Sequence, residues 1–202
     1  YSGGSDINDS GQVTGFAYTA GNKAHAFLYT DGVMADLGTL GGMQSSGSSI
    51  NNRGQVTGYS YTVSGTYRAF LYSGGVMTGL GSLGWWSVGQ SINDSGQVVG
   101  AFYASDGYHA FLYADGIMYD LNRLLAPGFG DTLWSTGGIN DKGQILAYGN
   151  DTRAYLLTPV VTATVPEPGS LPLLAAALGG LVGLLRKDKS LIPKRPTSAL
   201  QC

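Results

Sequence analysis

Cysteine occurs once in the 202 residues, and Cys202 is the last of them. No intrachain disulfide can form, and neither a zinc cluster nor a catalytic cysteine–histidine pair has the residues it needs. Glutamate also occurs once, at Glu167. A pair of carboxylates for glycoside hydrolysis would therefore have to be two aspartates, and Asp9, Asp31, Asp94, Asp115 and Asp141 all sit in turn-forming sequence. Charged residues make up 12% of the chain, against about 25% in a typical soluble domain. No Gly-x-Ser-x-Gly elbow, HExxH pair or phosphate-binding loop is present. No basic patch with interleaved aromatics appears before residue 165, which argues against a nucleic-acid partner.

What is abundant is glycine, at 33 residues, and tyrosine, at 13, in a chain that is 43% hydrophobic. That mixture suits turn-dense β structure better than helix. The net charge of −2 divides unevenly. Residues 1–165 hold eleven Asp against six Lys and Arg, whereas 186–202 hold five Lys and Arg against one Asp. Tyr1 stands first and no signal-peptide core follows it, so the chain is expected to be part of a longer product.

The chain repeats itself. "INDSGQVTG" at Ile7 returns as "INNRGQVTG" at Ile50, "INDSGQVVG" at Ile92 and "INDKGQILA" at Ile139, with spacings of 43, 42 and 47 residues. A period of this size marks a solenoid or a propeller. Each unit reads as four short extended segments, in the first unit over 12–19, 24–30, 33–40 and 45–51. The Asn-x-x-Gly before Gln-Val joins two of them with turn chemistry. Asp31-Gly32, Gly74-Gly75 and Asp115-Gly116 join two others as hairpins.

Alternation within "HAFLY" puts His25, Phe27 and Tyr29 on one face, and Ala26 and Leu28 on the other. Both faces are largely apolar, as in a small sheet packed on both sides. The expected fold is all-β: an array of four-stranded units over 1–160, a β-propeller or a fragment of one. Fifteen strands are expected in all, because only three segments resemble "VMADLGTL". That count is one short of four complete units.

The units resemble the HAF repeats of bacterial extracellular proteins, through His25-Ala26-Phe27 and His109-Ala110-Phe111. Arg68-Ala69-Phe70 and Arg153-Ala154-Tyr155 are the variant copies. This resemblance implies a repeat, and no reaction.

After residue 160 the composition changes. A Pro-containing linker over 161–170 leads into "LPLLAAALGGLVGLL" at 171–185, which has no charged residue. As a helix, 169–185 would span about 25 Å, at the short end of what crosses a roughly 30 Å hydrocarbon core. The expectation is a C-terminal transmembrane helix at 171–185 with a basic cytoplasmic tail at 186–202, which leaves 1–165 outside. Val165, Pro166, Glu167 and Pro168, the apolar run, and the Arg186-Lys187 end together resemble a PEP-CTERM sorting signal. The resemblance implies export from a Gram-negative cell that secretes exopolysaccharide. It also implies transient anchoring in the membrane and processing by an exosortase-type enzyme, a membrane cysteine transpeptidase.

Several features have plainer readings. His25 and His109 share a slot with Arg68, and a metal ligand or general base is not exchanged for arginine; a polar strand-end position is expected. The Asn8–Gly11 stretch superficially resembles a calcium loop, but its equivalents bring in Arg53 and Lys142 and no acidic residue closes it. Turn chemistry is expected there, and neither a metal nor a cofactor. Trp85, Trp86 and Trp134 stand outside the repeat pattern. They could stack on sugar rings of an extracellular polysaccharide, or pack between units. The functional expectation is a non-catalytic, exported surface or matrix protein. Its rival is the non-catalytic repeat portion of a glycan-acting enzyme or carbohydrate-binding protein.

Overall fold

Each Ile-Asn-x-x-Gly-Gln element folds as one tight turn. In the first, Asn8 Oδ1 accepts the N–H of Ser10 at 3.1 Å and of Gln12 at 2.9 Å. The Gly11 N–H closes the turn on the Asn8 carbonyl at 3.0 Å. Gly11 holds φ at 73°, a conformation that L side chains seldom adopt, and Gly54, Gly96 and Gly143 repeat it at 72°, 78° and 71°. Asparagine is suited to this turn because its short carbonyl mimics a backbone acceptor. The calcium-loop resemblance thus resolves into a self-bonded turn.

The computed structural model describes residues 1–150, 153–160 and 181–183. It is built from β-strands and contains no α-helix among the described residues. The first sheet runs β1 (Ser2–Ile7), β2 (Val13–Tyr18), β3 (Ala24–Thr30) and β4 (Val33–Asp36). The second runs β5 (Gly41–Ile50), β6 (Val56–Thr62), β7 (Tyr67–Ser73) and β8 (Val76–Gly79). The third runs β9 (Trp86–Ile92), β10 (Val98–Ala104), β11 (Gly107–Ala114) and β12 (Ile117–Asp120), followed by a 3-10 turn at Leu121–Arg123. The fourth runs β13 (Leu133–Ile139), β14 (Ile145–Gly149), β15 (Ala154–Pro159) and β16 (Leu181–Gly183). Every sheet is an antiparallel meander in chain order.

The hairpins between the last two strands of the first three sheets carry two residues with positive φ. They are Asp31-Gly32 (51°, 85°), Gly74-Gly75 (58°, 87°) and Asp115-Gly116 (52°, 80°). Such turns match the right-handed twist of the flanking strands. β3 falls where the repeat phrase predicts it. β4 stops at Asp36, short of the predicted 33–40, because Gly38 at φ 74° turns the chain toward the next sheet. The phase of the unit also differs from the expected one. The strand ending in Ile-Asn opens a sheet, so 45–51 belongs with the second sheet and not with the first.

Packing follows from the alternation. Ala26 and Leu37 of the first sheet meet Ile50, Val56 and Phe70 of the second in one buried cluster. Ala69 and Leu80 meet Ile92, Val98, Phe102, Phe111 and Met118 in the next. Val99, Ala110 and Leu112 meet Leu133, Ile145, Ala147, Tyr155 and Leu157 in the third. Each sheet therefore has a front face, bearing the alanine of the repeat phrase, and a rear face, bearing its phenylalanine or tyrosine. The alanines 26, 69 and 110 are fully buried. The Ala26 N–H donates to Ser45 Oγ at 2.8 Å, and the Ala69 N–H to Ser87 Oγ at 3.0 Å, so the next sheet's opening strand is bonded directly onto the phrase. A Cβ on Gly47 would strike Thr14 Oγ1, and one on Gly89 would strike Thr57 Oγ1. Those two glycines set how closely successive sheets approach.

A polar ladder runs along the opening strands. Asn8 Nδ2 donates to the Asn51 carbonyl (3.0 Å), Asn51 Nδ2 to that of Asn93 (2.9 Å), and Asn93 Nδ2 to that of Asn140 (3.0 Å). A parallel row joins the N–H of Asp9, Asn52 and Asp94 to the side-chain oxygens of Asn52, Asp94 and Asp141, at 3.0, 2.8 and 2.8 Å. β1 touches β5, β5 touches β9, and β9 touches β13. The array is open: among the described residues no extensive contact joins the first sheet to the fourth.

The fourth sheet lacks a "VMADLGTL"-like strand. Its outer position is taken by β16, which pairs with β15 as Leu157↔Gly183, Thr158↔Val182 and Pro159↔Leu181. These three residues belong to the predicted transmembrane helix but are extended. The rest of 171–185, the 161–170 linker with residues 165–168, and the 186–202 tail with Arg186 and Lys187 lie outside the described residues. Among the described residues no helix is long and apolar enough to cross a membrane.

The ladder predicts unequal costs for equivalent asparagines. Asn51 is buried and bonds within its turn as well as onward to the next unit. Asn51→Ala should lower stability by about 2–4 kcal/mol, the sum of several buried hydrogen bonds. Asn140→Ala, which loses side-chain turn bonds but, among the described residues, no bond onward to a further unit, should cost about half as much. Urea unfolding of the two variants checks the difference.

Candidate functional site

The aromatic residues gather at the junction of the second and third sheets. Trp86, at the start of β9, lies between Tyr67 of β7, 5.2 Å away and tilted by 30°, and Tyr103 of β10, 5.7 Å away and 8° from parallel. Tyr108 meets it edge-on at 5.1 Å. Tyr59 and Tyr61 extend the cluster through Tyr67 at 5.7 and 5.6 Å. Burial, and after it the neighbouring Tyr108, Tyr61 and Tyr59, raise the Tyr67 hydroxyl above its ordinary pKa. Trp86 is half-buried and packs between units.

Trp85 faces outward. It is 65% exposed and leans one edge on Tyr103 at 5.7 Å. Its backbone is held from two sides: its N–H donates to the Tyr103 carbonyl at 2.8 Å, and Arg68 Nη1 donates to its carbonyl. Arg68 thus occupies the histidine slot of the second unit and reaches across to the third. Trp134, in β13, is 41% exposed. Its Nε1–H donates to the Gly149 carbonyl at 3.1 Å, which fixes the ring beside Tyr148.

Two surface clefts meet between these tryptophans. One of about 570 Å³ is lined by Leu83, Trp85, Asp106, His109, Tyr119 and Arg123 among others. The second, of about 390 Å³, is lined by Asp106, Tyr108, His109, Thr132, Trp134 and Asn150. Asp106 and His109 line both. His109 Nδ1 lies 3.0 Å from Asp120 Oδ2, and its Nε2 lies 3.4 Å from Asp106 Oδ1. Asp120 is buried and also accepts from the N–H of Asn122 at 2.9 Å. Histidine, aspartate and arginine between two aromatic faces form a surface that can both stack on a ring and hydrogen-bond its hydroxyls.

The first unit repeats the pair without the tryptophans: His25 Nδ1 lies 2.8 Å from Asp36 Oδ2, and Asp36 Oδ1 accepts the Gly38 N–H at 2.8 Å. Histidine here orients an aspartate that shapes the chain's exit from the sheet, as expected of a polar strand-end position. The sequence reading singled out the histidines but not Asp36, Asp106 or Asp120. For Asp36 and Asp120 the signal was present: an aspartate follows each histidine by eleven residues, and where Arg68 replaces histidine, Gly79 replaces the aspartate.

The loop carrying Thr132 is held by Asp131. Its Oδ1 accepts from Thr132 N at 2.7 Å and from Asn150 N at 3.2 Å, and its Oδ2 from Tyr155 Oη at 2.7 Å. Burial alone would raise the Asp131 carboxyl. The Tyr155 hydroxyl, the two N–H groups and Arg153 outweigh it and hold the carboxyl below its ordinary value. Tyr155 is raised in turn, by burial first and then by its bond to Asp131.

Comparison with protein-family models finds no match, and comparison with curated proteins finds no relative of this chain. Among the described residues no group of three or more His, Cys, Asp or Glu is placed to hold a metal ion.

The Asp131 cluster predicts an acid-sensitive loop. A carboxyl lowered by folding contributes stability that is complete above its unfolded pKa, near 4, and is lost as pH falls through the folded value. Tyr155→Phe should cost about 1–3 kcal/mol at pH 7 and flatten the loss of stability below pH ~4. Thermal unfolding of both forms from neutral to acidic pH measures it.

Proposed function

We propose that this chain is a non-catalytic, exported β-repeat protein of propeller type that binds extracellular polysaccharide. The observation that carries the reading is the meeting of two clefts on Asp106 and His109, with Trp85 at one side and Trp134 at the other. Exposed indole faces offer an apolar platform for the C–H face of a sugar, and the polar groups between them match its hydroxyls. An open groove, rather than a deep pocket, suits an extended polymer. The chain-order meanders, with each opening strand against the next, support a propeller or a fragment of one, here as an open array of four sheets.

The route to the cell exterior is proposed from the tail. Pro166 and Pro168 remove two backbone donors and disfavour helix, and Glu167 lies between them just before the apolar run. An exosortase-type enzyme would read it there, and the Arg186-Lys187 end would stop translocation. The HAF-type phrases and the PEP-CTERM-like tail both support a surface or matrix location.

Binding is tested by co-sedimentation with exopolysaccharide from a producing strain. Trp85→Ala and Trp134→Ala should each weaken retention about fivefold to tenfold, the value of one aromatic contact, with thermal stability nearly unchanged. Trp86→Ala should instead lower stability and leave binding by the folded fraction intact. Equal retention of wild type and the Trp85→Ala, Trp134→Ala double variant would overturn the proposal.

Sorting is tested separately in an exosortase-bearing host. Glu167→Gln keeps the size of the side chain but removes its charge. Unprocessed precursor should accumulate in the membrane, and an identical mature product from both forms would reduce the tail to an ordinary anchor.

A further inference from the structure

Three departures from the repeat meet in one place. Trp85 lies on the connection into the third sheet, Trp134 in β13, and Asp106 in the turn between β10 and β11. The corresponding turns of the first two units, 19–23 and 62–66, hold no acidic residue. Of these three turns, only the one between the tryptophans carries a carboxylate. Asp106 lines both clefts, and its side chain is 70% exposed.

The neighbouring groups fix what the turn offers a ligand. Asp120 Oδ1 accepts from the Asn122 N–H at 2.9 Å and from Asn122 Nδ2 at 3.1 Å, while its Oδ2 faces His109 Nδ1 at 3.0 Å. A carboxylate can only accept, so His109 Nδ1 carries the hydrogen of that bond. The neutral ring then presents a lone pair at Nε2, 3.4 Å from Asp106 Oδ1. Two acceptors stand side by side where the clefts meet. The neighbouring cations are turned to other acceptors: Arg123 Nε lies 3.9 Å from Asp120 Oδ2, and Arg68 Nη1 donates to the carbonyls of Tyr67 and Trp85. Residues 1–165 as a whole hold eleven Asp against six Lys and Arg.

We propose that the polysaccharide taken at this site is uncharged, and that Asp106 is the residue that turns acidic chains away. The proposal rests on the polysaccharide reading above and adds to it the class of sugar. A hydroxyl on a ring stacked at either tryptophan supplies the hydrogen that Asp106 Oδ1 and His109 Nε2 both lack. A carboxylate or sulfate on the same ring supplies none, and it brings like charge against Asp106. Repulsion of this kind separates ligands that stack equally well, because the C–H face offered to the indole is the same in both.

The test uses the full chain and a matched pair of polymers. Exopolysaccharide from a producing strain is separated by anion exchange into neutral and acidic fractions. Part of the neutral fraction is then oxidised at its primary hydroxyls to carboxylates, which keeps its linkages and adds charge. Wild type should co-sediment with the neutral fraction and hold the oxidised form about fivefold less well, the value of one exposed charge contact. Raising the salt from ~10 to ~500 mM should narrow that gap. Asp106→Asn keeps the size of the side chain and removes its charge, and the gap should fall to about twofold or less. Trp85→Ala should weaken retention of both forms alike and leave the gap in place. Thermal unfolding of Asp106→Asn should match wild type, since the side chain is exposed. Equal or stronger retention of the acidic or oxidised material by wild type would overturn this proposal and leave the polysaccharide reading standing. A gap that survives Asp106→Asn would also overturn it. Retention of neither fraction would overturn both readings together.

Discussion

One side-chain amide bonds in two directions in each of the first three repeats. The oxygen of the asparagine after each repeat isoleucine folds the chain back on itself, and its nitrogen reaches the main chain of the next unit. The turn and the junction are thereby formed by the same residue, so a unit with a correct turn is also aimed at its neighbour. The apolar cores depend on this alignment. Ala26 can lie under Ser45, and Thr14 against Gly47, only if the opening strand arrives at that height. Buried amides of this kind are costly unless satisfied, and no buried side-chain nitrogen or oxygen among the described residues lacks a partner.

Much of the fold was legible because the repeat displays its own alternation. "HAFLY" assigns its two faces correctly, and the Asp-Gly and Gly-Gly hairpins fall where two positive φ values are needed. The phase of the unit was less legible. A period locates copies but not the point where one sheet ends and the next begins, and that point is set by hydrogen bonding between strands. The sixteenth strand was hidden for a different reason: β16 lies about twenty residues beyond its partner, in sequence whose apolar run reads as helix.

The candidate site was half legible. Three tryptophans outside the pattern drew attention to the region where the two clefts meet, but composition cannot separate a ring sandwiched between tyrosines from one that faces water. Trp86 and Trp85 are adjacent in sequence and opposite in exposure, because β9 starts at Trp86 and Trp85 lies on the connection before it. Asp106 and Asp120 came into view only with the fold, which brings them from two different strand ends to the two nitrogens of one imidazole.

The ladder has a direction, and a directional joint behaves like a shared coupling on railway wagons. Every junction presents the same donor side and the same acceptor side, so a whole repeat can be duplicated or deleted between any two others without leaving a coupling unmatched. A gene carrying such repeats can therefore change length by unequal recombination in steps of one unit. The observed differences in period lie in the connections between strands, which leave the coupling untouched. A single-residue insertion within Asn-x-x-Gly is another matter, since it would turn the amide away from its neighbour and divide the array at that point. Selection on this fold should then be strict about the frame inside each turn and lenient about how many turns there are.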